Sequence, residues 1–501
     1  MKRIQYLFLF FVTLGTLLAG TTGKLTGVLS DQKTGEPLIG CNIILVGTDL
    51  GTASDIDGEY FILNIPPGKY SVRFQMIGYE TVVSENVRIS TDKTTRLNGS
   101  LGMEIIAGSE VVVTAERKLI QFDVTQSESR ITSETLDAMP VTEVWDVLRL
   151  QGGMTQDAGG GLHMRGGRSS EISYMVDGVP MSDAYDGGIS VQIENDNIQE
   201  LQVISGTFNA EYPGLSGVVN MVTKDGRDFF EGSINTYAGD HTTTDPIFLD
   251  LDSYTISNDV SISANMSGPI IPGLITFYSS GRINKSDGWL NGLQTFTMYG
   301  DTLFQDKNDN GYRDNQEELK DPYIKSMNWY NYWSTQNKIT LKFSPTTRIK
   351  INSNISSREA QGYNHFRQLT QGGRSIQYDN GRFFGVNLSH SFSSKSFSEI
   401  NITESTRRFE SYLYEDSLDQ RYITPDSLFW AHIEGELPVD IQNKYGSEVN
   451  YFPQYTFSRW GVDIDRFTRE TKSRKLKFDA TSQMNKYNQI KFGFDITRHK
   501  L

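Results

Sequence analysis

The chain has 501 residues, of which 37% are hydrophobic, 22% charged and 11% aromatic, a length that suggests several domains. A net charge of −14 argues against nucleic acid as partner, because phosphate binding needs clustered Lys and Arg. A single cysteine, Cys41, excludes an internal disulfide and any cysteine-based metal cluster.

At the amino terminus, Lys2 and Arg3 precede an apolar run over residues 6–18 that closes on the small residues Ala19 and Gly20. That order reads as a signal peptide over residues 1–20, hence as an exported protein. Residues 24–102 follow as an all-β domain. Short strands are expected at 25–29, 41–46, 60–63, 70–74 and 87–89, separated by turn signals at 33–37, 55–58 and 66–68. This spacing suits a small β-sandwich. The stretches Thr34-Gly-Glu-Pro-Leu38, Thr52-Ala-Ser-Asp-Ile-Asp-Gly58 and Ile65-Pro-Pro-Gly-Lys-Tyr70 resemble the carboxypeptidase-regulatory-like domain. The family's name invites a peptidase reading. Against it, the histidines (His163, His241, His365, His390, His432 and His499) are scattered without zinc-ligand spacing, and no Gly-x-Ser-x-Gly elbow occurs. The domain reads as an interaction or spacer module, and the chain as no enzyme.

A linker over residues 103–120 contains Glu110, Val111, Val112, Val113, Thr114 and Ala115. As a pattern this is one more β-branched strand. Residues 121–227 then read as a small α+β domain, with short β-branched runs between Gly-rich turns and one helical stretch near 143–150. Its motifs are His163-Met-Arg-Gly-Gly-Arg168, Tyr174-Met-Val-Asp-Gly-Val-Pro180, Ile198-Gln-Glu-Leu-Gln-Val-Ile-Ser-Gly206, Phe208-Asn-Ala-Glu-Tyr212 and Gly217-Val-Val-Asn-Met-Val-Thr-Lys224. In this order they resemble the plug domain of TonB-dependent outer-membrane receptors. The resemblance marks Arg165, Gly166, Gly167, Asp177, Gly178, Glu211 and Asn220 as plug-motif residues, with Arg165 and Glu211 as candidates for plug–barrel ion pairs. It also gives residues 110–115 a second reading, as a TonB box that an energy-transducing partner captures by strand addition.

From residue 228 the texture becomes period-two alternation. Ile339, Leu341 and Phe343 oppose Lys338, Thr340 and Lys342; Ile275, Phe277 and Ile283 oppose Thr276, Tyr278 and Arg282. Strands are expected to start near residues 231, 254, 274, 332, 347, 380, 396, 467 and 487, with joins that alternate long and short. The fold class is therefore mainly β: a sandwich, a small α+β plug, then part of an antiparallel transmembrane barrel over 228–501, with outer-membrane lipid against the apolar face. Nine strands cannot close around a plug, so the chain reads as a truncated frame and the sheet as partial.

Within the longest loop, Asp306, Asn308, Asn310, Tyr312, Asp314 and Glu317 occupy the ligand positions of a calcium loop, with Gly311 at its turn. The alternative is a solvated acidic loop. No cofactor is required, and Ca²⁺ would only order that loop. Taken together, the resemblance implies a receptor in the outer membrane with its sandwich in the periplasm, TonB as partner and an extracellular ligand as cargo. A non-transporting adhesion or export protein of the same build is the alternative.

Overall fold

A computed structural model describes residues 22–103, 110–114, 127–141, 143–157, 159–206, 212–294, 324–419, 421–422, 461–485 and 488–501. Strands β1 (Gly23–Asp31), β2 (Asn42–Leu45), β3 (Gly51–Ala53), β4 (Glu59–Ile65), β5 (Gly68–Gln75), β6 (Thr81–Ile89), β7 (Thr94–Arg96), β8 (Gly99–Leu101) and β9 (Glu110–Thr114) build the expected sandwich. One sheet runs β3-β2-β5-β6-β9, the other β4-β1-β7 with β8 also on β1. Alternation along the strands places Leu25, Leu29, Ile43, Leu45, Val72 and Phe74 between the sheets, out of water. Each such side chain contributes about 1.5–3 kcal/mol on burial. Cys41 belongs to the same core, where burial pushes its thiol up to about 11, far from a reactive thiolate.

The middle domain comprises β10 (Ser127–Thr132), α1 (Ser133–Ala138), α2 (Val144–Arg149), β11 (Met154–Gln156), β12 (Leu162–Met164), β13 (Ile172–Val176), β14 (Val179–Pro180), β15 (Ile198–Ser205) and β16 (Gly217–Thr223). Five strands form one sheet in the order β10-β15-β16-β13-β14. Every residue of β13 and β16 is buried, so neither strand shows the apolar–polar alternation of a half-exposed strand. Leu136, Val147 and Leu148 of the two helices pack on Ile172, Leu201 and Val219. The expected helix is α2. Helix α1, of the same six-residue length, was not expected from the sequence.

The third region is one antiparallel sheet of nine strands in sequence order. They are β17 (Glu231–Gly239), β18 (Asp259–Ile271), β19 (Ile275–Ser286), β22 (Trp329–Ser344), β23 (Thr347–Gln361), β24 (Ile376–Ser393), β25 (Ser396–Tyr412), β26 (Phe467–Gln483) and β27 (Gln489–Lys500). Strands β20 (Asn291–Leu293) and β21 (Ile324–Ser326) form a separate ribbon on the long connection between β19 and β22. The second strand begins at Asp259, not near 254. The Asp240 carboxylate accepts hydrogen bonds from Thr255 N (2.6 Å) and Asn258 Nδ2 (2.7 Å), and so holds those residues in the loop.

The two faces differ as the alternation requires. Ile339, Ile351, Phe384 and Ile402 are exposed on one face, while Gln336, Lys338, Thr340, Asn352 and Asn354 are buried on the other, against the middle domain. At the short-turn end the sandwich docks on this wall and on the middle domain. Lys24 Nζ donates to Gln483 Oε1 (2.9 Å) and Asn64 Nδ2 to Ser389 Oγ (2.7 Å). Thr91 N donates to Glu200 Oε1 (3.1 Å), and Lys93 pairs with Glu128 at 2.5 Å.

Candidate functional site

The polar face of the wall and the middle domain meet through three charged clusters. The first is built on the hairpin turn between β13 and β14. Val176 and Val179 pair directly, leaving Asp177-Gly178 as a two-residue loop with φ of 47° and 73°. Consecutive positive φ values are the signature of the Asp-Gly hairpin turn. This turn aims the Asp177 carboxylate at the wall. It accepts from Thr223 N and Oγ1 (both 2.8 Å), lies 3.0 Å from Lys338 Nζ, and accepts from Asn352 Nδ2 (3.3 Å).

Lys338 also reaches Asp225 (3.1 Å), which Lys350 meets at 2.6 Å. Burial alone would push the Asp225 carboxyl up; Lys338, then Lys350, outweigh it and hold it well below the usual carboxylate range. Lys338 itself is 2% exposed. A cation so far from water is tolerated only because two carboxylates and the Thr223 carbonyl (3.2 Å) surround it.

The second cluster centres on Glu194, also buried. Its carboxylate accepts from Arg282 Nη1 (3.0 Å), Tyr332 Oη (2.5 Å) and Ser334 Oγ (3.0 Å). The third lies towards the long-connection end. Asp183 and Asp186 of the middle domain meet Arg469 (3.2 and 3.1 Å) and Arg407 (3.5 and 3.2 Å), and Arg407 is steadied by Asp379 at 2.7 Å. Arg469 further stacks over the Tyr185 ring, 4.5 Å from its centroid. Where sandwich, middle domain and wall converge there is a cavity of about 760 Å³, bordered by Tyr70, Asp177, Asp225, Lys338 and Lys350.

Of the residues singled out in the sequence, Asp177 and Gly178 form the turn that anchors the first cluster. Asn220 is buried in β16 and donates to Gln202 Oε1 (3.3 Å), a structural role. Arg165 and Gly166 form a second turn with positive φ, 49° and 80°, next to Gly167. Arg165 is exposed and makes no ion pair among the described residues, while Glu211 lies outside them. Plug–wall ion pairs do form, but through Asp177, Asp183, Asp186, Glu194 and Asp225. The wall cations had a legible signal: Arg282 and Lys338 sit on the polar parity of their strands. Their acidic partners Asp177, Glu194 and Asp225 lie outside the strands, where alternation says nothing.

Beside the Arg165 turn, His163 Nε2 lies 2.8 Å from Asp157 and its Nδ1 2.9 Å from the Gly167 carbonyl. The hydrogen bond to Asp157, then that to Gly167, raises the imidazole above its ordinary value. Residues Glu110, Val111, Val112, Val113 and Thr114 form β9, paired parallel with Thr81–Glu85 of β6. Ala115 and the calcium-loop residues Asp306, Asn308, Asn310, Tyr312, Asp314 and Glu317 lie outside the described residues. Among the described residues no group of acidic, His or Cys side chains is arranged to hold a metal ion.

Comparison with known proteins accords with this layout. The CarboxypepD_reg-like domain matches residues 25–113, and the TonB-dependent Receptor Plug Domain matches residues 121–218. The chain is similar to TonB-dependent receptor P3 of Formosa agariphila, 26% identical over 276 residues, covering 52% of this chain and 27% of that protein. It is similar as well to the TonB-dependent transporter Oar of Myxococcus xanthus, 22% identical over 234 residues, covering 44% of this chain and 22% of Oar. Among solved structures, the siderophore receptor PirA from Acinetobacter baumannii aligns over 74% of this chain and 47% of its own, at 14% identity and a TM-score of 0.47. The chain thus spans less than a third of the length of these two curated relatives, which are a receptor and a transporter rather than enzymes. The chain thus carries a CarboxypepD_reg-like domain ahead of a TonB-dependent receptor plug domain, and the relatives it resembles are TonB-dependent receptors and transporters.

Proposed function

We propose that the protein is an outer-membrane receptor that binds an extracellular ligand and admits it when TonB, drawing on the inner-membrane proton gradient, pulls on the segment ahead of the plug. In this reading the apolar face of the wall meets lipid, the short turns and the sandwich lie in the periplasm, and the long connections face outward. The observation that supports it is the character of the plug seat. The plug is held to the polar face largely by ion pairs and hydrogen bonds, including Lys338 with Asp177 and Asp225, and Arg282 with Glu194. Such contacts can be exchanged for water when the plug shifts, which an apolar core cannot do at comparable cost. We propose further that Asp306, Asn308, Asn310, Asp314 and Glu317, with the Tyr312 carbonyl, bind Ca²⁺ and order an extracellular loop; terbium luminescence that is lost in Glu317→Gln would support this, and equal luminescence in both would refute it.

The test is capture of the natural protein, solubilised from membranes, by the purified periplasmic domain of TonB. Binding is expected, and replacing Val111 to Thr114 with Asn and Ser should abolish it. A polar variant that binds as well as the parent would remove the TonB-box reading. One observation favours a non-transporting interaction protein instead: the β9 backbone is already paired within the sandwich. Failure of the unaltered protein to bind would support that second reading.

A further inference from the structure

Three non-glycine residues of the sandwich have positive φ: Asn64 (60°), Asn86 (60°) and Asp92 (55°). Asn and Asp tolerate this region best, yet it still costs stability and persists only where surrounding contacts hold it. Asn86 is exposed. The side chains of Asn64 and Asp92 are covered where the sandwich meets the rest of the molecule. Asn64 sits at a bulge in β4: the register passes from Gly23↔Ile65 to Leu25↔Ile62, so Leu63 and Asn64 together face Lys24. A bulge of this kind re-aims a side chain. Here Asn64 Nδ2 donates to Ser389 Oγ (2.7 Å) and Ser391 Oγ (3.4 Å) of β24, and the Asn64 carbonyl accepts from Arg348 Nη2 of β23 (3.3 Å). Lys24, across the bulge, reaches Gln483 of β26.

The turn Thr91-Asp92-Lys93 makes a second grip. Thr91 N and Lys93 hold Glu200 and Glu128 of the plug. The Asp92 carboxylate accepts from Tyr212 Oη of the plug and from Lys491 Nζ of β27 (3.2 Å), so one side chain ties plug to wall. The loop that follows the bulge, Pro66-Pro-Gly68, borders the cavity of about 760 Å³ together with Leu50 and Tyr70. We propose that the sandwich is a latch: it pins the plug to the wall through Asn64 and Asp92, closes the cavity at the short-turn end, and must undock before the plug can shift. The consequence for transport rests on the receptor reading above; the docking itself does not. The ties are polar and can be exchanged for water, as suits a contact within one chain that opens and closes. A module serving only as a spacer has no need of either grip.

The test is thiol labelling of the natural protein carrying Thr340→Cys, by a small membrane-impermeant methanethiosulfonate in the absence of TonB. Thr340 is buried and borders the cavity. Asn64→Gly and Asp92→Gly each remove the side-chain ties, while glycine adopts the same positive φ without strain. Each is expected to speed labelling at position 340 about tenfold, the effect of losing a hydrogen-bonded contact. Asn86→Gly makes the same change at an exposed position and should label at the parent rate. Cys41, in the sandwich core, reports unfolding and should stay unlabelled throughout. Labelling at the parent rate in both Asn64→Gly and Asp92→Gly would overturn the latch. Should either of them label Cys41 as well, Ser389→Ala and Lys491→Met remove the same ties from the wall side, and parent-rate labelling in that pair would overturn it equally. Capture by the TonB periplasmic domain is read separately: its failure with the unaltered protein would remove the receptor reading, while the labelling rates still decide the latch.

Discussion

Lys338 illustrates how much of the plug seat rests on single residues. It is buried between Asp177 and Asp225, so Lys338→Met would leave two carboxylates facing each other without their shared cation. Breaking a buried pair from one side costs about 3–5 kcal/mol, and the variant should lower the plug's denaturation midpoint accordingly; an unchanged midpoint would mean that water already screens the site. The pH dependence follows from Asp225. Its folded-state value is depressed, so its stabilisation is complete above the unfolded carboxylate value of about 4 and is lost as pH falls through the folded value. The seat should therefore be insensitive to pH near neutrality and loosen only in acid, as read by protease sensitivity of the plug. His163 behaves oppositely. Its raised value means that the tie to Asp157 is fully present below about pH 6.5 and is lost as pH rises through the folded value. Amides near residues 157–167 should exchange faster at pH 9 than at pH 6, beyond the intrinsic base catalysis seen in His163→Gln.

At the scale of elements, the wall was the most legible part of the sequence. Residues such as Ile339 and Lys338, or Ile351 and Asn352, alternate because one strand face meets the plug and the other does not, and period two survives wherever that asymmetry holds. The plug strands β13 and β16 lose it because both faces are covered. What the sequence left hidden lies in turns and joins. Asp177-Gly178 announces a tight hairpin, but nothing local says that its carboxylate finds Lys338, some 160 residues away. Likewise the run at 110–114 reads as one more strand or as a TonB-box-like segment, and nothing local says that its partner is β6. Gly226 is a further case, at the join between plug and wall. A Cβ there would lie 2.6 Å from the Phe277 backbone nitrogen and 2.7 Å from its carbonyl carbon and oxygen, atoms that cannot step aside. Gly226→Ala should weaken the plug–wall contact by about 1–3 kcal/mol, the usual cost of overpacking. A denaturation midpoint equal to the parent's would show that the join is free to move.

For the whole molecule, the account requires that the nine-stranded sheet divide two environments, lipid on one side and a wet, charged plug seat on the other. Neighbouring residues test this cleanly. Ile339 with Thr340, Ile351 with Asn352 and Ile402 with Thr403 are adjacent in sequence, yet the first of each pair faces away from the plug and the second borders the cavity. The most direct measurement is quenching of a fluorophore, placed at each of these six positions in turn, by brominated lipids in vesicles that hold the natural protein. Strong quenching at Ile339, Ile351 and Ile402 and none at Thr340, Asn352 and Thr403 is the expected result. Equal quenching within each pair, or none anywhere, would contradict a membrane wall with a plug behind it.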